Sequence, residues 1–135
     1  AARIQPDVAI ITDVCHDTHS PMYNKKLSGD QKAGKGPVVT FGPAVQNNLL
    51  QMIIDTAEKQ EIPIQRSATS KATGTDTDAF AYSGKGIASA LISLPIKYMH
   101  TTVETAHYDD IENVIELIYQ FLLQLKEGHD FRYIK

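Results

Sequence analysis

The sequence predicts an α/β fold, a three-layer α/β/α sandwich around a mostly parallel sheet. Short apolar runs alternate with amphipathic stretches of helical period; the first run is rich in β-branched residues, as strands covered on both faces are; and the connections between them are polar and marked by Gly or Pro. At 135 residues, 42% apolar and 21% charged, the chain has the make-up of one globular unit rather than of a disordered segment. A net charge of −3, from 13 basic and 16 acidic residues, argues against a nucleic-acid or anionic-membrane partner, which would need clustered Lys and Arg. The single Cys15 cannot form an internal disulfide, and no apolar run reaches the roughly 18 residues of a membrane span. The start, Ala1-Ala2-Arg3-Ile4, has neither an initiator Met nor a signal-peptide layout, and points to a cytoplasmic piece of a longer protein.

The elements follow in order. Residues 8–14 form a strand of Val, Ala and Ile that ends in Asp13-Val14. Residues 15–36 are polar, without periodicity, and too long for a passive connection. Residues 37–41 make a second strand, closed by Gly42-Pro43. From Val45 to about Gln60, the spacing of Val45, Leu49, Met52, Ile53 and Ala57 is that of an amphipathic helix. Pro63 breaks it and opens a strand over 61–65. After a small, polar loop, Thr75-Asp76-Thr77-Asp78 caps a short helix. Ser83-Gly84-Lys85-Gly86 turns the chain into a last strand, 87–94, stopped at Pro95. Asp109 with Glu112 has the capping-box pattern for a final helix, whose apolar residues run from Ile111 to Leu125 before Gly128.

In an open α/β sheet, ligands gather beyond the carboxyl ends of the strands. That rule selects Asp13, the 67–75 loop and the segment from Lys97 to His100. A carboxylate closing an apolar strand is costly to desolvate, so Asp13 either caps a turn or meets a partner or metal. Asp13, His16, Asp17 and His19 could in principle form a local site for zinc or cobalt, against a plain reading of solvated loop histidines. His100 follows an apolar stretch and is either a structural imidazole or a ligand; His107 and His129 carry no such signal. Gly74-Thr75-Asp76-Thr77-Asp78 opens a helix that could bind an anion, but its two acids would repel one. Ser83-Gly84-Lys85-Gly86 lacks the phosphate-loop layout, and there is no strand–GxSxG–helix elbow. Glu112 and Glu116 fall on the polar face of the last helix.

Three strings occur together and in order: Ile10-Ile11-Thr12-Asp13-Val14, Gly74-Thr75-Asp76, and Tyr98-Met99-His100-Thr101-Thr102-Val103-Glu104. With Gly34-Lys35-Gly36-Pro37-Val38 and Asp109-Asp110-Ile111-Glu112-Asn113, they resemble metallopeptidase family 42, the glutamyl, deblocking and tetrahedral aminopeptidases, some of them called endoglucanases. The resemblance covers nearly the whole chain, and the His100 string is its most specific part. One departure is Thr77-Asp78-Ala79-Phe80, where the family often has small residues; it bears on substrate preference.

The resemblance implies a zinc-exopeptidase-like catalytic domain, with residues 1–135 as its C-terminal portion and the N-terminal half and an inserted β-rich domain absent. It implies two divalent metal ions, zinc or cobalt, with Asp13 a ligand of one and His100 of the other. The remaining ligands and a Glu general base are expected upstream. Gly74, Thr75 and Asp76 would line the substrate pocket, and Glu104 could orient the His100 ring. Peptides would be the substrates, hydrolysed from their N-terminus by metal-activated water, in a homo-oligomeric enzyme. The isolated chain is expected to be inactive. The competing readings are a non-catalytic α/β binding or assembly module and a dinuclear amidohydrolase or deacylase.

Overall fold

A computed structural model of the chain describes residues 3–21 and 23–133. Strand β1 (Val8–His16) is followed by a one-turn helix α1 (Lys25–Ser28), strand β2 (Val38–Phe41) and helix α2 (Asn47–Lys59). Strand β3 (Gln65–Ala68), helix α3 (Asp76–Ala81), strand β4 (Ala88–Lys97), a short β5 (Thr105–Ala106) and helix α4 (Tyr108–Gln124) complete it.

The sheet order is β1-β4-β2-β3, with β5 also pairing β4. The long pairings are parallel: β1 lies along β4 from Val8↔Ala88 to His16↔Ile96, and β2 along β3 from Val38↔Gln65 to Phe41↔Ala68. The two parallel pairs are joined antiparallel, through Val38↔Ser93 and Val39↔Ile92, so the sheet is mixed. Helices α2 and α4 pack together on one face, where Thr12, Val14, Ile92 and Leu94 meet Ile111, Val114 and Ile115 of α4. Helix α3 packs against β1 and β4, and the loop leading into it covers the other face.

The amphipathic pattern of α2 places Leu49, Leu50, Ile53, Ile54 and Ala57 in the core with Val39, Ala90, Ile92, Leu117 and Phe121. Each fully buried Leu, Ile or Phe contributes about 1.5–3 kcal/mol. Gln46 caps α2, its side-chain oxygen accepting from the N–H groups of Asn48 and Leu49 at 2.6 and 3.1 Å.

Several boundaries differ from the sequence reading. Strand β1 runs on through Cys15 and His16, so Asp13 sits inside it rather than at its end. The third strand is the polar Gln65–Ala68, not 61–65. Ile62 is buried in the core without joining the sheet, and the register with β2 is set by hydrogen bonds from Gln65 N to Pro37 O and from Thr69 N to Phe41 O, both 2.8 Å. Strand β4 continues through Pro95. The Ile96 carbonyl accepts from Asp17 N, on the β1 side, so by strand alternation the Pro95 nitrogen faces away from β1, between the stretches paired to β2 and β5, where no donor is needed. The cap of α4 is His107, whose ring accepts from Asp109 N, rather than Asp109 itself. That helix ends at Gln124, and the left-handed Gly128 lies in the turn beyond it.

Among the described strands β1 pairs only with β4, leaving its other side open. Beside that edge, Val14 and Ile111 are each 38% exposed and Ile115 58%. No described helix is long and apolar enough to cross a membrane.

Candidate metal and peptide site

The parallel register of β1 and β4 carries Asp13 and the chain leaving Lys97 to the same end of the sheet. Asp13, His100, Gly74 and Thr75 all line one cavity of about 490 Å³. Asp76 is exposed in the first turn of α3 and is not among the lining residues. The loop does not reach the cavity from a carboxyl end parallel to that of β1, because β3 runs opposite to β1 and β4. It folds back over the sheet instead.

Asp13 accepts the N–H of its neighbour Val14 on Oδ1 at 2.7 Å, and no described residue bonds its second oxygen. The His100 ring is equally free of partners among the described residues. Glu104 does not orient it: its Oε1 accepts the backbone N–H of His100, at 2.5 Å. That bond closes a tight loop in which both Tyr98 (φ +57°) and His100 (φ +63°) take left-handed backbone. Left-handed non-glycine residues cost about 1–2 kcal/mol each and concentrate at functional sites.

The roof is held by α3's capping network. Thr75 accepts from Thr77 N, and the hydroxyls of Thr73, Thr75 and Thr77 form a chain with spacings of 2.8 and 3.0 Å. Asp78 accepts the N–H groups of Thr73 and Gly74 at 3.0 and 2.9 Å. Burial alone would raise the Asp78 carboxyl; these backbone N–H groups outweigh it and hold it below its usual range.

The local cluster in the 13–19 stretch does not assemble. Asp17 is buried and serves the fold, accepting from His19 N and Ala33 N at 2.7 and 3.2 Å. His19 pairs with Asp30 at 2.7 Å, and hydrogen bonds from Lys25 and His19 lower the Asp30 carboxyl. His16 lines the cavity, but its Nδ1 is engaged by the Tyr23 hydroxyl at 2.7 Å. Cys15 also lines it; burial pushes its thiol up to about 12, and the charges of Asp110, Asp13 and Asp17 push the same way, so it stays protonated. Among the described residues, no three His, Cys, Asp or Glu side chains are grouped to hold a metal.

A profile described as M42 glutamyl aminopeptidase matches residues 1–117. The chain belongs to this family. It is similar to the lysyl aminopeptidase of Pyrococcus furiosus, 38% identical over 123 residues that make up 91% of this chain and 35% of that protein. In structure it is similar to the TET aminopeptidase of the marine sediment archaeon Thaumarchaeota archaeon SCGC AB-539-E09, with a TM-score of 0.81 and 27% identity over 90% of this chain and 34% of that one. It is also similar to the Pyrococcus horikoshii TET1 peptidase, described as assembling into a tetrahedron or a large octahedral shell, with a TM-score of 0.59 and 30% identity over 87% and 33% of the two chains. The chain thus spans about a third of the length of these M42 relatives.

The donor chemistry suits part of a metal site in an M42 protein: Asp13, with one carboxylate oxygen unbonded, and His100, with its ring unbonded, line one cavity, while at least one further donor would have to come from elsewhere. Sequence reasoning missed Gln31 and Thr40 as lining residues, and it placed Ser67 in a loop rather than in a strand. A signal existed, since Gln65 and Ser67 alternate as polar residues in a strand; a polar face on a covered strand marks a cavity.

Proposed function

We propose that this chain is the C-terminal portion of the catalytic domain of a metal-dependent aminopeptidase that removes N-terminal residues from peptides. The observation that carries the reading is that Asp13 and His100, 87 positions apart, line one cavity in a chain that belongs to the M42 family. In this reading Asp13 gives an anionic oxygen to one divalent ion, zinc or cobalt, and neutral His100 gives a nitrogen to a second. Ions so held would polarise the scissile carbonyl and acidify the attacking water. The chain's own residues then do three things. Val14 N–H fixes Asp13 Oδ1, leaving the other oxygen for the ion; Glu104 fixes the backbone that presents His100; Gly74 and Thr75 form a wall against the bound peptide, with Asp76 just behind them in α3. The general base and the remaining ligands belong to a further part of the enzyme, which we propose is a homo-oligomer like the P. horikoshii peptidase.

Two measurements test this. Calorimetry of the 135-residue chain with zinc or cobalt chloride should show weak binding without defined stoichiometry; stoichiometric micromolar binding would contradict the division of ligands. The longer protein that contains the chain should release p-nitroaniline from aminoacyl-p-nitroanilides and stop on adding a chelator. Absence of release across the whole panel would end the aminopeptidase reading.

A further inference from the structure

The cavity that holds Asp13 and His100 extends across the sheet to a wall of neutral hydrogen-bonding groups that the metal chemistry does not use. Thr40 comes from β2 and Ser67 from β3; at about 4.8 Å per strand, β3 stands roughly 14 Å from β1. Between them and the loop above sits Gln31, only 5% exposed. Its backbone is fixed on both sides by Thr18, whose hydroxyl accepts from Gln31 N at 3.0 Å and whose N–H donates to Gln31 O at 2.9 Å. Its side-chain amide donates to Ser67 Oγ at 3.0 Å. Gly29, with φ +83°, makes room for that amide: a Cβ there would collide with Gln31 Nε2 and lie 3.1 Å from Oε1.

A buried amide locked at one end keeps hydrogen-bonding capacity at the other. No described residue bonds Gln31 Oε1, and no fully enclosed side-chain nitrogen or oxygen among the described residues lacks a partner, so Oε1 borders open space, where this cavity meets a neighbouring one of about 310 Å³ that Ser28, Gln31 and Ser67 also line. The hydroxyls of Thr40 and Ser28, which also line the cavity, have no partner among the described residues either. An apolar guest would leave these groups desolvated and unpaired. A cationic guest would need a counter-charge, yet Asp13 is the one carboxylate among the described lining residues and is committed to the metal; an acidic guest would find no Lys or Arg there.

We propose that Gln31, braced by Ser67 and Gly29, determines specificity, and that the cavity selects peptides whose N-terminal side chain is a neutral amide, glutamine or asparagine. The proposal rests on the aminopeptidase reading above. It is tested by titrating the isotopically labelled 135-residue chain with L-glutaminamide, L-methioninamide and L-lysinamide, following the Gln31 side-chain amide and the Thr40 and Thr75 backbone signals by NMR. Glutaminamide should move these signals and bind about tenfold more tightly than the other two, the factor that roughly one well-made hydrogen bond supplies. Gln31→Leu should erase the preference for glutaminamide over methioninamide. Ser67→Ala, which keeps Gln31 but unlocks its amide, should reduce it. Equal or tighter binding of methioninamide or lysinamide, or a preference that survives Gln31→Leu in a well-dispersed spectrum, overturns the specificity and leaves the peptidase reading standing. If none of the three probes moves the cavity signals, the specificity falls, and the peptidase reading is decided separately by the p-nitroanilide assay on the longer protein.

Discussion

The carboxylate of Asp110, fully buried at the start of α4, accepts the backbone N–H of Gly36 at 2.7 Å across 74 positions of sequence, and its other oxygen accepts Gly34 N at 2.6 Å. Gly36 can approach so closely because it has φ +90° and no side chain; a Cβ there would overlap the Pro63 carbonyl. One carboxylate thus ties the end of the long polar stretch, just before β2, to the final helix.

Replacing Asp110 with Ala should therefore cost far more than a surface substitution. Two charge-assisted hydrogen bonds are lost and two N–H groups left without acceptors, which together amount to about 3 kcal/mol. Urea unfolding of the variant checks this; a loss below about 1 kcal/mol would mean that the contact is replaced by water.

Cys15 should be inert in the metal-free folded chain. With its thiol at about 12 against an ordinary 9.0, the thiolate fraction at pH 8 falls roughly a thousandfold, and iodoacetamide labelling should slow correspondingly until denaturant is added. The sign of the linkage follows. Between these two values the unfolded chain has released the proton and the folded one keeps it, so stability falls as pH rises above about 9, by up to about 1.4 kcal/mol per pH unit. Denaturation midpoints at pH 8 and pH 10 should show the drop, and Cys15→Ser should remove this part of it.

Tyr98 is more than half exposed and left-handed, so its side chain adds little packing while its backbone is strained. Tyr98→Gly should relieve roughly 1 kcal/mol of that strain and raise the thermal midpoint. An equal destabilisation would show that the ring makes an unrecognised contact.

In the longer protein, Asp13→Ala and His100→Ala should each lower turnover by orders of magnitude, as removal of a metal ligand does, with little change in far-UV circular dichroism. Turnover within tenfold of the parent would remove these side chains from the metal site.

The parts of the fold legible in the sequence are those with a period. The apolar run of β1, the helical spacing of α2 and α4 and the Thr75 cap of α3 all lie close to where pattern reading puts them, because each buries a face that repeats. What stayed hidden depends on partners far along the chain. Ile62 looks like strand and is core; Ser67 and Ala68 look like loop and are strand, because β2 supplies their pairing. Nothing local announces that β2 meets β4 antiparallel, which moves the 69–75 loop to the opposite end from Asp13 and makes it fold back. His107 rather than Asp109 as the cap, and the burial of Asp110, likewise go with the approach of Gly34 and Gly36. Asp13, His100, Gly74 and Thr75, which the sequence singles out, line one cavity, while Gln31 lies in a stretch with no period to mark it.

The open side of β1 has a practical consequence. It offers N–H and carbonyl groups without a partner strand along a strand with Asp13 as its one charged residue and no proline, next to the partly exposed Val14 and Ile115. Such an edge is a template for extended chains of any origin. Purified alone and concentrated, the 135-residue chain should precipitate or form fibrous aggregates sooner than its charge would suggest, and a lysine at Val14 should keep it in solution.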